Sequence, residues 1–180
     1  MDKTLADEPQ TSKPHLKTKL RVIQGNFMED HDVAALAFFL LEDMSWGGVL
    51  NQAILNRFGV GLDDYILNHV IKPRRGSVFV IPEEISAVPR LILGIIPKWD
   101  GGMDDEERSF KKCLWGMLEK ADSAGVSSIA FPALGLRNKD YPFRKAARLA
   151  MGVFSSYPYQ NLREVVIVCK SSEIFDAYDQ

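Results

Sequence analysis

Residues Phe131–Pro142 read FPALGLRNKDYP; they follow the apolar run VSSIA and lead into RKAARLAMGVF, which has helical spacing. A buried strand, a loop and a helix in that order form a junction at which many α/β proteins hold a phosphate on backbone N–H groups. Such a cradle wants glycines and small residues, because the backbone must come close to the anion. This loop has one glycine, Gly135, and then Leu136, Arg137, Asn138, Lys139 and Asp140. Its place in the chain argues for a phosphate site, and its composition argues against one.

Strand and helix signals alternate on both sides of this junction. LKTKLRVIQG reads as an alternating strand ending at Gly25, and DVAALAFFLL is an apolar run that fits either a buried strand or a short helix. WGGVLNQAILNRFG puts Val49, Leu50, Ala53, Ile54 and Phe58 on one helical face and stops at Gly59, and GLDDYILNHVIK repeats the helical signal. RRGSVFVIP and RLILGIIP read as strands, the second almost wholly apolar, as expected where both faces are covered. The next helix opens on the acidic residues Asp104 to Glu107 and carries a core stripe of Phe110, Leu114, Met117, Leu118 and Ala121. SSIAFP is a buried strand, YPFRKAARLAMGVFSSY a helix with Pro142 in its first turn and EVVIVCK the last strand. SSEIFDAY is a short helix capped by Ser171 or Ser172. This alternation predicts an α/β fold, a three-layer α/β/α sandwich with a mixed, mostly parallel central sheet.

Length and composition agree with one such domain. The chain has 180 residues, 46% hydrophobic and 26% charged, enough to bury a core without disulfides or metal. Residues 1–15 are polar and proline-bearing and read as a flexible tail; residues 16–180 read as a single domain. A formal net charge of −2 supplies no global basic field for nucleic acid or an anionic membrane. Cys113 and Cys169 fall in an apparent helix and an apparent strand, as buried apolar residues in a reducing compartment would. His15, His31 and His69 are too scattered for zinc ligands, so no metal or other cofactor is expected. With no signal-peptide pattern and no apolar run of membrane-spanning length, a cytoplasmic location is expected.

The chemistry of such a fold gathers in loops beyond the carboxyl ends of the strands. Three loops stand there: QGNFME, EDMSWGGVL and PALGLRNKDYP. Gly47-Gly48 directly before a helix is either a tight turn or an anion site, where free N–H groups at the helix start face a phosphate. His31 and Asp32 are neighbours in sequence, and adjacent side chains seldom face one another, so they form no dyad.

From Leu20 to Tyr178 the chain resembles the macro domain family, the ADP-ribose-binding α/β sandwich. VIQGNFME is similar to the family's VxxGDIT, LILGIIPKWDGG to its IIHxVGPxWxGG and SIAFPALG to its SIAFPAlG, while Asp140-Tyr141-Pro142 stands where the family has Gly-Tyr-Pro. The resemblance implies a ligand site at Asn26, Phe27, Gly47, Gly48, Val49, Gly135, Leu136, Arg137 and Asn138. It also shows departures. The family's NAAN falls on Ala37, Phe38, Phe39 and Leu40, so the two asparagines that hold the distal ribose are absent. Asn26 replaces the aspartate that accepts from adenine, and two expected glycines of the second phosphate loop are Arg137 and Asp140. Lys139 and Asp140 are out of register with the lysine and aspartate of a hydrolytic branch.

Two functions follow from the resemblance and its gaps. One is a non-catalytic or weakly active module, without hydrolysis, for ADP-ribose, a related nucleotide or an ADP-ribosylated protein. Arg137 and Lys139 would then supply charge to the diphosphate; the other reading of the two is solvated loop charges, with Asp140 pairing either one. The other is a macro fold with a closed pocket, its partner a protein or single-stranded nucleic acid bound at a basic patch of Lys72, Arg74 and Arg75. Trp46 either walls the pocket or fills it.

Overall fold

The computed structural model describes residues 17–46, 48–133 and 142–180. The expected tail, Gly47 and the loop from 134 to 141 lie outside them. Within the described residues the chain runs β1 (Lys19–Gln24), β2 (Ala35–Leu41), α1 (Val49–Phe58), α2 (Val60–His69), β3 (Val78–Val80), β4 (Arg90–Ile96), α3 (Glu106–Ser123), β5 (Ser128–Pro132), α4 (Phe143–Ser156), β6 (Glu164–Cys169) and α5 (Ser172–Tyr178).

The six strands form one sheet in the order β1-β6-β5-β2-β4-β3. Every neighbouring pair is parallel except β3–β4, which is antiparallel at the edge. The apolar run DVAALAFFLL resolves as a strand: Ala35–Leu41 pairs along its length with Arg90–Ile96 and also meets Ile129 and Ala130 of β5. A strand flanked on both sides and covered on both faces has no polar environment to alternate with, hence ALAFFLL. At the edge, β1 alternates exposed and part-buried positions as its sequence does.

The pleat of β2 sends its side chains to two separate cores. Ala35, Ala37 and Phe39 pack with Phe110, Met117, Ala147 and Phe154 of α3 and α4, whereas Leu36, Phe38 and Leu40 pack with Ile54, Leu62 and Ile66 of α1 and α2. The result is the mixed-sheet, three-layer architecture expected from the sequence. The α3 stripe from Phe110 to Ala121 is wholly buried, and both cysteines are buried and free. Ser171, rather than Ser172, caps α5, accepting from the Ile174 N–H at 3.3 Å.

Three local readings are corrected. Val49 is 82% exposed rather than on the core face of α1; Asn51 takes the buried place, donating its Nδ2 to the Phe39 carbonyl at 2.9 Å. The phase of the helix is set by the turn that leads in from β2, and Phe39, beyond the two residues of β2 that pair with β5, has a buried carbonyl that needs a donor. The α3 helix begins at Glu106, after Asp105 in a left-handed conformation with φ 58°, so only two of the four acidic residues lie inside it. Finally, the RRGSVFVIP strand shrinks to three residues, because β3 pairs on one side only.

Candidate functional site

Topology alone marks one crevice. From β5 the chain proceeds through α4 to β6 on one side, and from β2 it proceeds toward β4 on the other, so the strand order reverses between β5 and β2. Loops leaving adjacent parallel strands in opposite directions leave a gap beyond their carboxyl ends. The two loops there are the residues after Leu41 and those after Pro132, the same two that carry the sequence's glycine signals.

The helices that start on the two sides of this gap differ from the others. Among the described residues, α1 and α4 have neither an acidic residue in the first turn nor a side-chain cap. By contrast, α2 carries Asp63, α3 carries Glu106 and Glu107, and α5 has both Glu173 and the Ser171 cap. Uncapped helix starts present free N–H groups and the positive end of the helix dipole, so both ends aimed at the gap favour an anion. Gly48 leads into α1 at φ 92° and ψ 154°, a region closed to side-chain-bearing residues. Here the glycine is required by the backbone, not merely convenient.

On the first of these loops, Met44 N–H donates to the Leu41 carbonyl at 2.9 Å and Ser45 N–H to Asp43 Oδ1 at 3.0 Å. Trp46 then folds back over the α1–α2 side of the sheet. Its ring stacks on Phe38 with centroids 6.0 Å apart and planes 7° from parallel, and its indole N–H donates to Asp63 Oδ1 at 2.9 Å. Gln52 Nε2 donates to the Trp46 carbonyl at 2.7 Å, which ties the loop to α1 as well.

Asn26 and Phe27 follow β1, which lies three strand spacings from β2. That separation is about 14 Å, so a ligand touching both ends must be elongated. Asn26 is exposed; its Oδ1 accepts from Met28 N–H at 3.0 Å and its carbonyl meets His31 Nε2 at 2.8 Å. An amide oxygen has two lone pairs, so one remains for an outside donor. Phe27 is buried in the α1–α2 core, where its ring supports the loop instead of presenting an open face. Gly48 and Val49 are exposed at the rim. Gly47, Gly135, Leu136, Arg137 and Asn138 lie outside the described residues.

Ala37 to Leu40, the stretch that the resemblance sets against NAAN, lies inside β2 and is buried. Ala37 and Leu40 are 0% and 1% exposed, on opposite faces of β2. Neither offers a hydrogen bond to a ribose or to a reacting water.

A hollow of about 360 Å³ opens beside the crevice, past the ends of β2 and β4, with Leu41, Arg75, Lys98 and Trp99 among its walls. Sequence reading placed Arg75 in a free basic patch. In the fold its Nε donates to Glu42 Oε1 at 2.5 Å and its Nη1 meets Asp104 Oδ2 at 2.9 Å. The hydrogen bond to Glu42 is the main reason that its guanidinium is held above the ordinary arginine range. Among the described residues no group of histidine, cysteine and carboxylate side chains could hold a metal ion, and no helix is long and apolar enough to cross a membrane.

A mostly parallel sheet between two helical layers, with its strand order reversing between β5 and β2, defines an α/β sandwich domain. A family model described as Macro domain matches residues 42–150, more than half of the chain, and the chain belongs to the macro domain family. It is 26% identical to a macro domain-containing protein of Caldanaerobacter subterraneus subsp. tengcongensis over 171 residues, 92% of this chain and 96% of that protein. It is also 26% identical to an O-acetyl-ADP-ribose deacetylase of Cronobacter turicensis over 170 residues, 90% of this chain and 94% of that one. In fold it is similar to a variant of the Oceanobacillus iheyensis macrodomain solved with ADP-ribose, at TM-score 0.76 and 19% identity, covering 90% of each chain.

Proposed function

We propose that this chain is a non-catalytic macro-domain module that binds ADP-ribose or a related nucleotide diphosphate in the crevice between the β2 and β5 loops. One observation carries the reading. The two helices that start at the switch point, α1 and α4, are those of the described helices without an acidic residue or a side-chain cap at the start. The diphosphate would lie between them, on the backbone of Gly47, Gly48 and Val49 and of Gly135, Leu136, Arg137 and Asn138. The base would lie toward Asn26 and Phe27, with the remaining lone pair of the Asn26 amide oxygen as acceptor. The deacetylase named among the relatives and the ADP-ribose held by the Oceanobacillus macrodomain support the ligand class.

Hydrolysis is left out of the proposal because of β2. With Ala37 and Leu40 buried and apolar, this strand has no side chain to place a water or a ribose hydroxyl. Each lost ribose hydrogen bond costs about 1–3 kcal/mol where the partner group is buried and unpaired, so weaker binding than in a member with both asparagines is expected.

Titration calorimetry with ADP-ribose, AMP and NAD tests the proposal. Saturable binding of ADP-ribose at roughly 100 μM or below, about −5.5 kcal/mol or stronger, that Gly48→Glu abolishes is the expected result. No heat up to several millimolar would refute it. Turnover of O-acetyl-ADP-ribose at catalytic protein concentrations would refute the non-catalytic part.

A further inference from the structure

The described residues contain a second cavity, between α4 and α5. Its volume is about 290 Å³, and Arg144, Ala147, Arg148 and Met151 of α4 line it together with Ala177 and Tyr178 of α5. Arg144 and Arg148 are four apart on one helix, so both guanidinium groups rise from the same face. Neither makes a hydrogen bond or ion pair among the described residues. Arg21, Arg75, Arg90 and Arg108 are each paired with a carboxylate, whereas Arg57, Arg74 and Arg163 have no carboxylate partner among the described residues; Arg144 and Arg148 differ from these in sharing one helix face over a cavity.

This placement is unfavourable for the protein alone. Like charges four apart on a helix repel, and Arg144 sits in the first turn, where the helix dipole already favours negative charge. An anion seated between the two arginines would reverse both penalties. Guanidinium groups suit phosphate because their planar forks can donate two bonds to two oxygens of one group. The rest of the cavity is lined by Ala147, Met151, Ala177, the ring of Tyr178 and Gln180, a mostly apolar surface that accepts an apolar or flat body.

We propose that the α4–α5 cavity is a second binding site, for a phosphate monoester that carries an apolar or aromatic body, with Arg144 and Arg148 clamping the phosphate. The site shares α4 with the crevice at the switch point, but none of its lining residues is among those placed at the crevice.

Amide-resolved NMR titration with AMP and with inorganic phosphate tests it, on the wild-type chain and on Gly48→Glu, in which the crevice is obstructed. The amides of Ala147, Met151 and Ala177 should shift saturably with AMP in both proteins. Arg148→Gln should weaken this binding roughly tenfold, and Arg144→Gln with Arg148→Gln should remove saturation while leaving the folded spectrum intact. Phosphate should shift the same amides at higher concentration. Unshifted α4 and α5 amides at about 10 mM AMP, an affinity limit near −2.7 kcal/mol, would overturn the proposal, as would shifts that persist unchanged in the double variant. Equal affinity for AMP and phosphate would overturn the apolar-body half of it. Failure at the crevice alone would change none of these readings, because Gly48→Glu already removes that site.

Discussion

Trp46 and Asp63 are joined by a 2.9 Å hydrogen bond from the indole N–H to the carboxylate, across 17 residues of sequence. The bond links the loop that bounds the candidate crevice to the first turn of α2, where a carboxylate is also favoured by the helix dipole. Trp46 is therefore held in place over Phe38. Removing the acceptor with Asp63→Ala leaves a part-buried N–H unpaired and should cost about 1–2 kcal/mol. Urea unfolding followed by tryptophan fluorescence measures this, and an unchanged midpoint would mean that stacking on Phe38 alone holds the ring.

Gly48 is the hinge from that loop into α1. Because its φ of 92° and ψ of 154° suit glycine almost exclusively, Gly48→Ala should destabilise the fold by about 1–3 kcal/mol. A thermal midpoint equal to wild type would show that the turn can rearrange without loss.

Gly94 lies in the middle of β4, where α3 crosses most closely. A Cβ there would stand 2.5 Å from both Cys113 Sγ and Met117 Sδ, well inside contact distance. Gly94→Ala should thus cost about 1–3 kcal/mol through overpacking. Trimming the neighbour with Met117→Ala should recover part of that loss, because the two side chains compete for one space. Strict additivity in denaturation experiments would argue that they do not.

Cys169 gives a pH dependence with a defined sign. Burial, and then the nearby charge of Asp179, pushes its thiol from 9.0 up to about 11. The folded chain thus keeps its proton at pH values where the unfolded chain has lost it. Stability from this group is complete below about pH 9 and falls as pH rises toward 11. Denaturation midpoints at pH 8 and pH 10.5 should differ less in Cys169→Ala than in wild type. An equal decline in both would assign the loss to other groups, such as the buried Tyr178, whose hydroxyl burial also pushes upward.

Some of this was legible in the chain, and the reason is local. The helix over Phe110–Ala121 is long and strongly periodic, and its apolar stripe has one way to be buried. ALAFFLL was ambiguous because a continuous apolar run has no period; pairing with β4 on one side and β5 on the other decided it. Arg75 read as part of a basic patch because its partners, Glu42 and Asp104, lie 33 and 29 residues away. Asp122 carried no signal at all, yet in the fold it is buried and accepts the backbone N–H groups of Gln160, Asn161 and Leu162, fastening the end of α3 to the entry of β6.

The sequence by itself determined the family and the order of the layers, since FPALG and PKWDGG at their spacing, with strands and helices in alternation, admit little else. It also determined that β2 is built of apolar residues alone, because that is a matter of composition. Only the tertiary structure decided which way each β2 side chain faces and which loops meet beyond its end. Pleat and pairing turn Ala37 and Leu40 to opposite cores, the reversal of strand order between β5 and β2 opens the crevice, and the packing of α5 on α4 brings Arg144 and Arg148 over a cavity. Those relations join residues far apart in the chain, and a linear pattern records neighbours along the backbone, not neighbours across a sheet.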